Sequence, residues 1–200
     1  MSKFKSKQDV RNYVWRRIAS ICRSNPYRRI PNFLNAEIAC EKVKKLEEYV
    51  NSKCVFSAPD SVLLRLREIA LKDKKLLLVA KPKIKGFWIL DKYVNPTIKA
   101  MDKFGRDVRL DELDVKVDLF VQGCVAVDEK GNRIGKGSGF GDREYELLKD
   151  YGLLSKNCLY IVVAHDMQVF DDLSYLMSEH DVRADVILTP SRIIRTKTFL

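Results

Sequence analysis

The chain has 200 residues, 46% apolar and 32% charged, which is the size and balance of a soluble globular domain with a single buried core. No apolar run reaches the roughly 18 residues of a membrane span, and five scattered cysteines with only two histidines exclude a clustered structural zinc site. Lys and Arg number 37 against 27 Asp and Glu, and the net charge of +10 favours anionic partners without choosing among nucleotides, polyglutamylated or phosphorylated small molecules, RNA and an anionic membrane.

The opening segment, MSKFKSKQDVRNYVW, is charged and lacks an apolar signal core, so the expected location is the cytoplasm. Val10, Val14, Ile18 and Ile21 recur at spacings of four, four and three, which predicts a helix from about Lys7 to Ile21. SNPYRRIPNF breaks it with its prolines. Asn35 is then placed to cap a second helix, AEIACEKVKKLEEYV, with Ile38, Val43, Leu46 and Val50 on its buried face.

From there the texture alternates. KCVFSA reads as a strand, SVLLRLREIALKD as a helix, and KKLLLVA and GFWIL as strands; Asp91 to Asp114 is polar and irregular. VDLFVQGCVAVD is the strongest strand signal, and EKGN follows as a hairpin turn. DREYELLKDYG is a helix, CLYIVVAH a buried strand, and ADVILTPSRIIRT closes the pattern. Cys54, Cys124 and Cys158 lie in apolar strand-like runs and are expected as small core residues in a reducing compartment. Apolar strands alternating with helices indicate a largely parallel sheet covered on both faces. The expected organisation is one α/β domain over 1–200, with a helical region of about 1–52 packed on the α/β core.

GNRIGKGSGFGDREYELL joins strand to helix through a glycine run. Gly135, Gly137, Gly139 and Gly141 permit positive φ and close approach of backbone amides, which suits phosphate oxygens at a helix N-terminus. Arg133, Lys136 and Arg143 add positive charge. The run matches neither the P-loop nor the dinucleotide-binding fingerprint in register. His165, Asp166 and Gln168 follow a buried strand, where α/β ligands collect, although His165 by itself reads first as a helix-cap or core histidine. Asp181 and Asp185 precede the last strand. Lys7 and Arg11 stand one helical turn apart and could straddle a polyphosphate or form a solvated basic face.

Lys7-x-x-x-Arg11, GKGSGFGD, AHDMQ and HDVRADVILT occur in the order of the 5-formyltetrahydrofolate cyclo-ligase, or methenyltetrahydrofolate synthetase, family. The chain resembles in particular the methenyltetrahydrofolate synthetase domain-containing branch, through SKQDVR, RIPNF, KKLLLV, GCVAVDEKGNRIGKGSGFGDREY and VAHDMQV. The resemblance implies a three-layer α/β fold of the NagB/RpiA/CoA-transferase type. It also implies ATP- and Mg²⁺-dependent closure of 5-formyltetrahydrofolate, or a related formyl-pterin, through a phosphorylated formyl group. It places Lys7, Arg11, Arg133, Gly135, Gly137, Ser138, Gly139, Phe140 and Gly141 around ATP, with Lys136 and Arg143 catalytic. Asp60, Phe140, His165 and Gln168 would meet the reduced folate or pterin, and Asp142 and Asp181 the Mg²⁺. One position departs: Gly141 stands where the family's second aromatic is expected, which bears on folate specificity. The second reading is a non-catalytic nucleotide- or RNA-binding module, supported by the charge, PYRRIPNF, and the terminal SRIIRTKTFL; such RNA binding would be electrostatic.

Overall fold

In the computed structural model, which describes residues 4–196, an eight-stranded mixed sheet forms the centre. In chain order the helices are α1 (Lys7–Ile18), α2 (Ala36–Glu41), α3 (Glu47–Asn51), α4 (Leu64–Lys72), α5 (Ile98–Phe104) and α6 (Phe140–Asp150). The strands are β1 (Cys54–Ser57), β2 (Leu76–Ala80), β3 (Phe87–Leu90), β4 (Arg106–Val108), β5 (Val117–Gly123), β6 (Ala126–Asp128), β7 (Arg133–Ile134), β8 (Leu154–Val163), β9 (Val169–Phe170), β10 (Val186–Leu188) and β11 (Ile193–Arg195).

The large sheet runs β11-β10-β8-β5-β1-β2-β3-β4, and its five inner strands, from β10 to β2, are parallel. Antiparallel β11 and β3–β4 close its two edges. β1 and β5 are buried almost throughout, as continuous apolar runs covered on both faces must be. One face packs α1, α2 and α4 through Val14, Ala39 and Leu66; the other packs α6 through Leu148. Among the described residues no helix is long and apolar enough to cross a membrane.

Five expectations change. Asn35 is left-handed, with φ of 65°, and its side chain makes no capping bond. The helix it opens ends at Glu41 and passes into a 3-10 turn over Lys42–Lys45, with Ala36, Ala39, Cys40, Val43, Leu46 and Tyr49 buried. Ile38 and Val50 therefore face outward at 50% and 64% exposure. The long strand expected at Val117 to Asp128 divides at Cys124, and β6 joins a separate three-stranded sheet in the order β7-β6-β9. Gln168 Nε2 takes the carbonyls of Cys124 and Val125, at 2.8 and 3.1 Å, so a side chain replaces the ladder partners there. Asp91 to Asp114 contains α5, capped by Thr97 Oγ1 on the Ala100 amide, and the edge strand β4. Cys158 is half-buried rather than buried, and all five thiols are free.

Candidate active site

Chain order rises from β1 to β2 on one side of the sheet and from β5 through β8 to β10 on the other, so the winding reverses between β1 and β5. A crevice opens at the carboxyl ends of strands at such a reversal. A cavity of about 570 Å³ lies there. Its wall combines the segment after β1 (Ala58 to Ser61), Gln122 from β5, Pro82 and Lys83 after β2, and the glycine loop between β7 and α6. α1 contributes Lys7 and Arg11, and the PYRRIPNF segment contributes Arg29 and Ile30.

The glycine loop forms one end of the cavity. Gly139 is left-handed, with φ of 70°, and occupies the N-cap position of α6, so the first-turn amides of α6 have no acceptor within the helix. Those amides, with Lys136 beside them, suit an anion. Arg11 Nε donates to Gly135 O at 2.8 Å, and its guanidinium lies against Gly137, so this cation braces the loop as well as lining it. Lys7 Nζ meets Asp181 at 2.6 Å, and Ser178 donates to the same carboxylate, tying α1 to the 178–181 turn. Burial opposes ionisation of Asp181, but the bonds from Lys7 and Ser178 outweigh it and hold the carboxyl below its ordinary range. Lys7 is thus not free on an exposed helix face. Asp142 is the third residue of α6, not its cap, and lines the cavity.

The inner end is a polar cluster on an apolar floor. Gln122 Nε2 donates to Gly141 O at 2.9 Å and to Glu144 Oε2 at 2.8 Å. Its Oε1 accepts from Tyr160 Oη at 2.7 Å and Arg133 Nε at 3.2 Å. Arg133 is only 7% exposed, and its two Nη atoms make no hydrogen bond or ion pair among the described residues. Burial disfavours its charge, but Tyr160, Asp142, Cys124 and Asp60 around it more than compensate, so the guanidinium stays charged. Asp60 takes a long 3.4 Å bond from the Gly123 amide, and burial raises its carboxyl against the pull of Lys136 and Arg133.

Glu144 is 4% exposed and has a neutral amide as its partner. Burial, then the proximity of Asp60, pushes its carboxyl from 4.5 to about 8. Between those two values the folded state keeps a proton that the unfolded state releases, so stability falls as pH rises through the window. Glu144→Gln removes this titration. Its melting temperature should stay close to that of wild type near pH 5 and exceed it by about 4 °C or more near pH 8.5. Calorimetry at the two pH values checks this, and an equal difference at both would exclude a buried, proton-holding Glu144.

Lys7, Arg11, Asp60, Arg133, Gly135, Lys136, Gly137, Ser138, Gly139, Phe140, Gly141, Asp142 and Asp181 all line this one cavity. Three of the expected residues lie elsewhere. Arg143 is exposed on the outer face of α6. His165 caps a 3-10 turn, accepting the Met167 amide on Nδ1 at 3.1 Å, and its ring sits edge-on to Phe33. Gln168 is fully buried and spends its amide on Cys124, Val125 and the His165 amide. Among the described residues no three His, Cys, Asp or Glu side chains converge as a metal cage. Of the terminal basic segment, Lys197 to Leu200 lie outside the described residues.

Glu144, Gln122 and Lys83 were not among the expected site residues. A signal existed for two of them. Glu144 falls one turn before Leu148, on the apolar stripe of its helix, and Gln122 is the polar interruption in LFVQGCVAV. Lys83 had none, because only the placement of β2 beside β1 brings it to the cavity.

The model of the 5-formyltetrahydrofolate cyclo-ligase family matches residues 3–190. The chain is 38% identical to a methenyltetrahydrofolate synthase domain-containing protein of Danio rerio, over 96% of this chain and 54% of that protein. Its identity to the Homo sapiens protein of the same description is 36%, with the same coverage. The chain therefore spans about half the length of the curated relatives it matches. The NMR structure of Aquifex aeolicus 5,10-methenyltetrahydrofolate synthetase superimposes with a TM-score of 0.62 at 22% identity, covering 97% of this chain and 94% of that one. That likeness extends to the mixed α/β architecture and its large, mostly parallel sheet.

Proposed function

The chain belongs to the 5-formyltetrahydrofolate cyclo-ligase family, and on that premise we propose that its cavity closes 5-formyltetrahydrofolate, or a related formyl-pterin, to the 5,10-methenyl form at the expense of ATP. The observation that carries this reading is Arg133, a buried guanidinium whose Nη donors open into the cavity between a glycine loop suited to phosphate and the carboxyl groups of Asp60 and Glu144. A cationic end and a carboxyl end within one crevice fit a phosphate donor and an N–H-rich heterocycle side by side.

The ATP phosphates would lie against the first-turn amides of α6, Lys136 and Lys7. Phosphoryl transfer is mainly positioning and charge neutralisation, and these are the groups it needs. The formyl oxygen would take the γ-phosphoryl group as ADP leaves. N10 then bonds to the formyl carbon and loses its proton, and the carbon–oxygen bond breaks with its electrons on the departing phosphate. Arg133 would neutralise charge on the oxygen shared by carbon and phosphorus, while Asp60 would accept from the pterin edge. Mg²⁺ is commonly held by one or two carboxylates together with substrate phosphates, a demand that Asp142 fits. Asp181 could join only by giving up Lys7. Bound there, the ion would screen phosphate charge.

The test is the rise in methenyl absorbance with Mg-ATP and 5-formyltetrahydrofolate, repeated with other formyl-pterins. Asp142→Asn should lose about 10²-fold in turnover. It should cost the fold only about 0.3–1 kcal/mol, since the acid sits in a first turn and does not cap the helix. Full activity in that variant would remove Asp142 from the metal role. A wild type inert on every formyl-pterin and unshifted in melting by Mg-ATP would overturn the enzyme reading in favour of a binding module, which salt-sensitive RNA binding would then support.

A further inference from the structure

Beneath the carboxyl end of the cavity lies a buried arginine from α4. Arg67 is 1% exposed, and its hydrogen-bond acceptors are all neutral. Nη1 donates to Ala58 O and Asp60 O, both at 3.0 Å, with Ser57 Oγ at 3.5 Å. Nε donates to Pro96 O at 3.1 Å. No carboxylate forms an ion pair with it among the described residues. Burial pushes its guanidinium down to about 10, with Asp60 the chief opposing influence.

A fully buried cation is costly, and a merely structural joint between loops could be apolar. This one links two separate segments of the cavity wall, the turn Ala58 to Ser61 and the stretch leading to Ile98. It also lies behind the backbone of Asp60, whose carboxyl opens into the cavity.

We propose that Arg67 is a positioning residue for the heterocycle end of the cavity: its fork fixes the Ala58–Asp60 turn against the Pro96 segment and sets the orientation of the Asp60 carboxylate toward the substrate's N–H edge. The role rests on the formyl-pterin reading of the cavity and acts on that substrate, not on ATP. The glycine loop and α1 make none of Arg67's bonds, so the phosphate end should not sense its loss.

The experiment uses Arg67→Met, Arg67→Lys and Asp60→Asn in the full chain, with KM and kcat for 5-formyltetrahydrofolate and ATP measured per folded protein. Arg67→Met should raise the formyl-pterin KM by about tenfold or more and leave the ATP KM within about twofold. Lysine keeps the charge but lacks the planar fork, so Arg67→Lys should recover part of the loss. Because the effect passes through Asp60, adding Arg67→Met to Asp60→Asn should worsen KM by less than about threefold. If the Met variant does not fold, Arg67→Lys alone and with Asp60→Asn carries the same comparison. Equal changes in both KM values, no recovery by lysine, or fully additive losses would overturn the role. A wild type that neither binds nor turns over a formyl-pterin overturns the reading of the cavity, and this role with it.

Discussion

Arg133→Met should lower turnover by on the order of 10²–10³, the scale for removing one preorganised electrostatic group, while the melting temperature falls by no more than about 5 °C. The two halves of this expectation have separate causes. Arg133 is buried beside the glycine loop with its Nη donors open to the cavity, so a phosphoryl group arriving there meets a cation that needs no reorganisation. In the empty protein burial opposes this charge and the surrounding groups more than offset that, without a close ion pair, so its removal should cost the fold little. Methionine fills a similar volume and needs no such compensation. The substitution leaves no orphan behind, since Gln122 Oε1 keeps the 2.7 Å bond from Tyr160. Turnover by methenyl absorbance and melting by calorimetry, on the same preparation, check both halves. Turnover within about threefold of wild type would end the claim that Arg133 serves the reaction, and a large fall in melting temperature would make it structural.

The second large effect is expected at Gly141. A Cβ built on this residue overlaps the Arg133 guanidinium and comes within 3.2 Å of Gln122 Nε2. The guanidinium ends a flexible chain, but here it is packed and bonded, so it can yield only by leaving its place. Gly141→Ala should therefore cost about 10²-fold in turnover with a stability loss of about 1–3 kcal/mol. Gly139→Ala is the control in the same loop. Its φ of 70° strains an alanine by about 1–2 kcal/mol, yet nothing lies within 4 Å of the new methyl group. Its turnover should fall less than that of Gly141→Ala. If the two variants rank the other way in activity, backbone conformation governs the loop, not the close approach of Arg133. The same geometry bears on Gly141 standing where the resemblance leads one to expect a second aromatic. In this chain the space beside position 141 holds a cation in place of a ring.

Much of this site could be read from the chain before its fold. Apolar runs such as LLLVA and YIVV specified buried strands, because burial on both faces leaves no reason for alternation. The glycine run before α6 specified a strand-to-helix joint with free amides, because glycine spacing and helix starts are properties of neighbouring residues. Lys7 and Arg11 could be assigned to one helix face for the same reason. Where local pattern misled, the cause was also local. Ile38 and Val50 are apolar, but the buried stripe runs through Ala36, Ala39, Cys40, Val43, Leu46 and Tyr49, and only packing against the core selects that stripe.

What the sequence determined by itself was therefore the order of most strands and helices, a glycine-rich strand-to-helix joint, and the family, through motifs in series. Tertiary structure alone decided which of the charged residues share the crevice. Asp60 and Gln122 are 62 residues apart, and they meet because β1 pairs with β5 at the point where the winding reverses. The packing of helices and loops around that sheet buries Arg67, Arg133 and Glu144, leaves Arg143 at the surface, and gives Gln168 to the backbone of Cys124. Strand pairing across such separations depends on how the whole chain closes over its core. Charge state follows from that closure, because a carboxyl or guanidinium responds to the water and charges left around it, which no neighbouring residue in the chain specifies.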